Sequence, residues 1–179
     1  MMRLFIGIGL PPDAREALRR AVTGLALQGR ATAPDNYHLT LAFLGEHDER
    51  LQPMEDIVRE TAQTCAPFPL AVSGFGFFGR RDSALLYAKL QVSAPLGKLA
   101  HTLRARLSAA GETYDEKPFA AHITLVRQAN LTGVDPQTPQ PGIAFPAERL
   151  TLFHSARVQG VLRYRPVFEA SFKKEDTLV

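Results

Sequence analysis

Cysteine occurs once in the 179 residues, at position 65, so no disulfide can form within the chain. Cys65 belongs to no spaced ligand motif and is expected to be a buried structural thiol. A lone thiol fits a reducing compartment, and a cytoplasmic protein is expected. No apolar run approaches the roughly 18–20 residues that cross a bilayer, so no membrane partner is expected. The opening "MMRLFIGIGLPP" is briefly apolar, but Pro11 and Pro12 cut it short and no small-residue cleavage site follows. It reads as a first strand rather than a signal peptide. HExxH, paired CxxC and glycine-rich phosphate loops are all missing, which leaves no metal site and no nucleotide cofactor to expect. Low-complexity segments and linkers are missing too, so residues 1–179 are expected to form one domain, with no second chain required.

What is present is an ordinary globular composition, 45% hydrophobic and 22% charged, with a net charge of +3. The charge tilts weakly toward anionic partners such as nucleic acid. Leu4, Ile6 and Ile8 alternate with Phe5, Gly7 and Gly9, a strand pattern. Pro11 and Pro12 then open a helix whose apolar stripe runs from Ala14 to Leu25. "GRATAPDN" reads as loop, and "YHLTLAFLG" as a strand stopped by Gly45. A second helix starts near Pro53. "FPLAVSGFGFFG" and "ALLYAKLQV" read as strands joined by a hairpin at "GRRDS". The third helix begins near Pro95 and ends before Gly111. "FAAHITLVR" is a further strand, "LTGVDPQTPQPG" a loop, and "AERLTLFHSARV" and "YRPVFEASF" close the chain as strands, with "KKEDTLV" frayed. Alternating strands with short links predict an α+β fold with mainly antiparallel pairing.

The chain also repeats itself. Each half runs helix, loop, then a strand opening on His-aliphatic-Thr-Leu: "HLTL" at 38–41 and "HITL" at 122–125. With 5 histidines in the chain, chance would supply far less than one such tetrad. Residues i and i+2 of a strand share a face, so His38 pairs with Thr40 and His122 with Thr124, while the aliphatic residues between them serve the buried face. Two imidazoles across a cleft can divide acid and base roles near neutral pH, one accepting a proton while the other donates. Phosphodiester cleavage needs both, and the two threonine hydroxyls are placed to bind non-bridging oxygens. The scheme requires no metal.

The two HxTx tetrads and their flanks resemble the two-histidine phosphoesterase superfamily, and specifically its LigT-like RNA 2′,3′-cyclic phosphodiesterases. The likeness runs from "RLFIGIGLPPDAREAL" through "NYHLTLAFLGE", "FPLAVSGFGFFG" and "FAAHITLVR" to "LTLFHSARVQGVLRY". It implies two pseudo-symmetric lobes with mainly antiparallel sheets flanking a central groove, and helices on the outside. It also implies hydrolysis of RNA 2′,3′-cyclic phosphate ends to 2′-phosphomonoesters, with 2′–5′ ligation as the reverse reaction; a monomer is expected. By the same resemblance His38 gives a proton to the departing 3′ oxygen and His122 takes one from water. Thr40, Thr124 and Arg127 bind the phosphate. Strict alternation places Arg127 on the face opposite His122, so it reaches a phosphate only where the strand bends or ends. The family's proline before the second histidine is Ala121 here, which removes no chemical group.

Other features carry less. "HD" at 47–48 reads as a helix entry, His101 and His154 as structural, Asp35 as a turn residue and Tyr164 as an aromatic without an assigned role. The alternatives are a phosphodiesterase acting on 2′–5′ oligonucleotides or small cyclic phosphates, and a noncatalytic RNA-binding module.

Overall fold

The computed structural model of the chain describes residues 1–136 and 142–174. The first strand, β1 (Met2–Gly9), is buried from Leu4 to Ile8 because it is central in its sheet, with a neighbour on each side. Helix α1 (Pro12–Gly24) starts on proline, as expected. The stretch read as loop holds a two-residue strand, β2 (Arg30–Ala31), and a single 3-10 turn at Pro34–Asn36. Strand β3 (His38–His47) follows, then α2 (Gln52–Ala62), the hairpin β4 (Phe68–Phe78) and β5 (Ala84–Leu90), α3 (Ala94–Ala109) and β6 (His122–Ala129). Strands β7 (Ala144–Ala147), β8 (Arg149–Val158) and β9 (Val161–Ser171) complete the order.

Two antiparallel sheets result, one ordered β3-β1-β8-β9 and the other β2-β6-β5-β4-β7. Each contains one tetrad strand: β3 lies at an edge of the first and β6 inside the second. The aliphatic residues of both tetrads, Leu39, Leu41, Ile123 and Leu125, are fully buried. Met54, Ile57 and Val58 of α2 and Leu96, Leu99, Leu103 and Leu107 of α3 close over the core. Burying an aliphatic side chain stabilises the fold by roughly 1.5–3 kcal/mol each, so these anchors hold the tetrads in register. No helix among the described residues is long and apolar enough to cross a membrane.

Four expectations need correction. Gly45 does not stop β3; with φ near +78° it sits at an irregularity where Leu4 pairs Gly45 and Phe5 pairs Phe43, and the strand continues to His47. A positive φ is cheap for glycine, so the chain bends there instead of ending. "AERLTLFHSARV" is two strands, because Ala147 finishes β7 against Phe68 before β8 begins at Arg149. Cys65 is only partly buried, its Sγ 3.3 Å from the Ala66 carbonyl. Lys173, placed in the tail, donates its amide to the Cys65 carbonyl at 2.9 Å. Residues 137–141 of the proline-rich loop and 175–179 of the tail lie outside the described residues.

Candidate active site

The tetrads share an unusual local geometry. In the β1–β3 register Ile6 pairs Ala42 and Gly7 pairs Thr40, so Leu41 is the extra residue of a bulge. In the β5–β6 register Leu86 pairs Val126 and Tyr87 pairs Thr124, so Leu125 is the extra residue of a second bulge. Leu41 and Ala42 are consequently both buried, as are Leu125 and Val126. Alternation restarts one residue late, and the side chains of Phe43 and Arg127 return to the face that carries the histidines. This answers the difficulty over Arg127: the strand neither ends nor needs a turn, because a bulge resets its phase. Gly7 permits the first bulge, since a Cβ there would collide with the Leu39 carbonyl oxygen.

Both tetrads open onto one groove of about 1060 Å³. His38, Thr40, His122, Thr124 and Arg127 all line it. The structure therefore brings together every residue that the sequence put at the site. His47 ends β3, and Asp48 accepts a hydrogen bond from the Arg50 amide in a turn; the pair is no helix entry. His101 is exposed on α3, Asp35 pairs with Arg15 at 3.1 Å, and none of these residues lines the groove. His154 lies on β8 opposite Leu4 and is likewise absent from the groove wall.

Each histidine is held in the same way. The Nδ1–H of His38 donates to the Asn36 carbonyl at 2.7 Å, and the Nδ1–H of His122 donates to the Ala120 carbonyl at 2.7 Å. A carbonyl can only accept, so Nδ1 carries the hydrogen in both rings and Nε2 is the nitrogen left to exchange a proton. The His38 Nε2 accepts from the Thr40 hydroxyl at 3.0 Å.

Their surroundings differ. His38 packs against Phe5 (ring centroids 4.6 Å apart), edge-on to Tyr164 (4.8 Å) and near Phe153 (6.0 Å). Burial among these rings lowers its pKa from 6.5 to about 4; the Asn36 carbonyl opposes the shift, while the charges of His122 and Arg127 add to it. With its pKa lowered to about 4, His38 is neutral near pH 7. His122 instead meets Phe78 and Tyr87 edge-on at 5.5 and 5.4 Å. Gly76 leaves the space that the Tyr87 ring occupies.

The roles of two residues at the site escape a sequence reading. Asn36 is buried, with its amide bonded to the β9 backbone at both Leu162 and Tyr164. Tyr164 lines the groove beside His38 although 126 residues separate them in the chain. The proximity of "PDN" to the first tetrad was the only signal for Asn36, and it pointed equally to Asp35. Among the described residues no three His, Cys, Asp or Glu side chains gather as a possible metal site.

Two antiparallel sheets that present matched histidine–threonine strands to one cationic groove define a two-histidine phosphoesterase fold. A family model described as the 2′-5′ RNA ligase superfamily matches residues 10–159, and the chain belongs to that superfamily. The RNA 2′,3′-cyclic phosphodiesterase of Escherichia coli (strain K12) is 32% identical over 173 residues, spanning 92% of this chain and 93% of that protein. The protein of the same name from Geobacillus stearothermophilus is 30% identical over 177 residues; they span 96% of this chain but 54% of that protein, about half its length. The crystal structure of Escherichia coli LigT in its apo form superposes with a TM-score of 0.78 at 29% identity, covering 97% of this chain and 98% of that one. A second structure of that protein is a complex with 3′-AMP.

Proposed function

We propose that this protein hydrolyses RNA 2′,3′-cyclic phosphate ends to 2′-phosphomonoesters, without a metal, by dividing proton transfer between His38 and His122. The observation that carries the reading is the delivery of two identically locked imidazoles, one from each sheet, onto one groove. Water attacks phosphorus as His122 Nε2 takes its proton. The bond from phosphorus to the 3′ oxygen breaks, and that oxygen takes the proton on His38 Nε2. The products are a free 3′ hydroxyl and a 2′-phosphate, and the two rings exchange protons with solvent before the next turnover. Thr40, Thr124 and Arg127 hold the non-bridging oxygens, where charge grows in the transition state.

His38 must hold a proton to act as the acid, although burial keeps it neutral near pH 7. A bound phosphodiester supplies the opposing negative charge that raises an imidazole pKa, so protonation of His38 accompanies substrate binding. Similarity to proteins named RNA 2′,3′-cyclic phosphodiesterase and membership of the superfamily support RNA ends as the substrate. Both histidines come from one chain, so a monomer suffices, and the single thiol fits action in the cytoplasm.

The test is incubation with an oligoribonucleotide ending in a 2′,3′-cyclic phosphate, followed by identification of the product. A 2′-phosphomonoester is expected. A 3′-phosphomonoester would reverse the leaving oxygen, and binding without turnover would leave a noncatalytic module.

A further inference from the structure

The groove holds more positive charge than one phosphate needs. Arg3, Arg104, Lys117, Arg127 and Arg157 line it against one carboxylate, Asp115. Most of these cations are committed within the protein. Arg104 donates to the carbonyls of Leu41 and Lys117 at 3.1 and 2.7 Å. The Lys117 ammonium lies 3.3 Å from the Asp115 carboxylate, and Arg157 donates to the Gly160 carbonyl at 3.1 Å. Arg127 acts electrostatically on His38 at the centre of the site. Arg3 is different. Its guanidinium lies 5.0 Å from the centre of the Phe43 ring, and among the described residues it makes no hydrogen bond and no ion pair within 4.0 Å, although Glu46 stands opposite it across β1–β3.

A guanidinium resting on an aromatic face keeps its N–H groups pointing sideways and unspent. Phe43 is at the groove because the bulge after the first tetrad returns it there. Arg3 stands two residues from Phe5 on β1, and the Phe5 ring touches His38. Two residues along a strand displace a side chain by about 7 Å, comparable to one nucleotide step along an extended RNA strand.

We infer that Arg3, held on Phe43, is a second phosphate subsite that takes the phosphodiester adjoining the terminal nucleotide, making the preferred substrate an oligoribonucleotide rather than a mononucleotide. This rests on the proposed hydrolysis of cyclic phosphate ends. The terminal cyclic phosphate lies between the histidines near Arg127, and the next phosphate along the chain lies on Arg3. A mononucleotide has no group to place there. Arg3 discriminates by substrate length without touching the reacting atoms.

Steady-state kinetics of the full chain and of Arg3→Met and Arg3→Lys test this, using a nucleoside 2′,3′-cyclic monophosphate and a short oligoribonucleotide with the same end. Methionine keeps apolar contact with Phe43 and removes the charge. With the oligonucleotide, Arg3→Met should lower kcat/KM by ~5-fold or more, the size of one charge-assisted contact partly screened by water. The loss should lie in KM. The slope of log kcat/KM against log salt should become shallower by about 0.7, the value for one single-strand phosphate contact. With the mononucleotide both variants should match the parent. Arg3→Lys should recover the salt slope and part of the affinity. An equal loss on both substrates, or no loss on either, overturns the subsite while leaving the hydrolase standing. Failure of the parent protein to turn over either substrate overturns both readings.

Discussion

The side chain of Asn36 pairs with the backbone of β9 as another strand would, its amide donating to the Leu162 carbonyl at 2.9 Å and its Oδ1 accepting from the Tyr164 amide at 3.1 Å. Its own carbonyl meanwhile accepts from His38 Nδ1. One buried residue thus ties the turn that orients the first histidine to the strand that carries Tyr164. Asn36→Ala strands two backbone groups of β9, and unfolding measured by denaturant should show a loss of about 2–3 kcal/mol. kcat should fall more than KM rises. Asp35→Ala next door removes only an exposed ion pair with Arg15 and should stay within about 0.5 kcal/mol of the parent.

His38→Ala and His122→Ala should each lower kcat by at least ~10²-fold, and the double variant should be little worse than either. A substrate with a nitrophenolate leaving group needs no proton donor. On it His38→Ala should recover most of the rate and His122→Ala should not. Recovery in His122→Ala instead would exchange the two roles.

The depressed pKa of His38 makes a prediction in two states. NMR titration of the free protein should show this ring staying neutral until the pH nears 4, and inorganic phosphate or a 2′-nucleotide should move the midpoint upward. Stability follows from the same shift. Between pH 6.5 and about 4 the unfolded chain binds this proton and the folded chain does not, so the contribution is complete above 6.5 and is lost as pH falls through that window. The full loss is about 3 kcal/mol. His38→Gln should flatten the acid limb of stability against pH, and an unchanged limb would show that burial does not govern this ring.

Gly7→Ala should cost about 1–3 kcal/mol in denaturant unfolding, because the added Cβ meets the Leu39 backbone rather than a side chain that can move aside. Gly7 pairs with Thr40, so relief of the collision displaces the first tetrad. Activity should fall with stability. Gly24, whose Cβ would meet nothing within 4 Å, is the control, and Gly24→Ala should leave activity unchanged.

Turnover should survive exhaustive treatment with EDTA, since the proposed chemistry assigns every proton and charge to side chains. Loss of activity restored by a divalent ion would show a metal-dependent step.

The reach of the sequence follows the range of the interactions. Strand periodicity, proline near helix starts and glycine after helix ends are local, and they placed the three helices and most strands. The doubled tetrad placed both histidines because each half-site is written in four consecutive residues. Arg127 was carried to the site by the resemblance alone, since strict period-two counting fails wherever a ladder slips, and only the β5–β6 register shows the slip. Asn36 was invisible, and Tyr164 noticed without a role, for another reason: their roles lie in contacts with each other and with His38 that no local pattern encodes. Strand β7 was missed because a four-residue strand containing Pro146 carries a weak signal, and its partner Phe68–Ala71 supplies the pairing.

The paired bulges also give the groove a direction. A cradle of true twofold symmetry would accept a cyclic phosphate in either of two orientations and could not distinguish the 2′ oxygen from the 3′ oxygen. Here the two halves keep the same histidine, threonine and slipped leucine, and diverge at the first groove-facing side chain beyond the slip, a ring at Phe43 and a cation at Arg127. Phe43 and Arg127 thus add to an asymmetry already present in the different rings packed around His38 and His122. In the proposed reaction, such a one-sided cradle favours a single orientation of the cyclic phosphate.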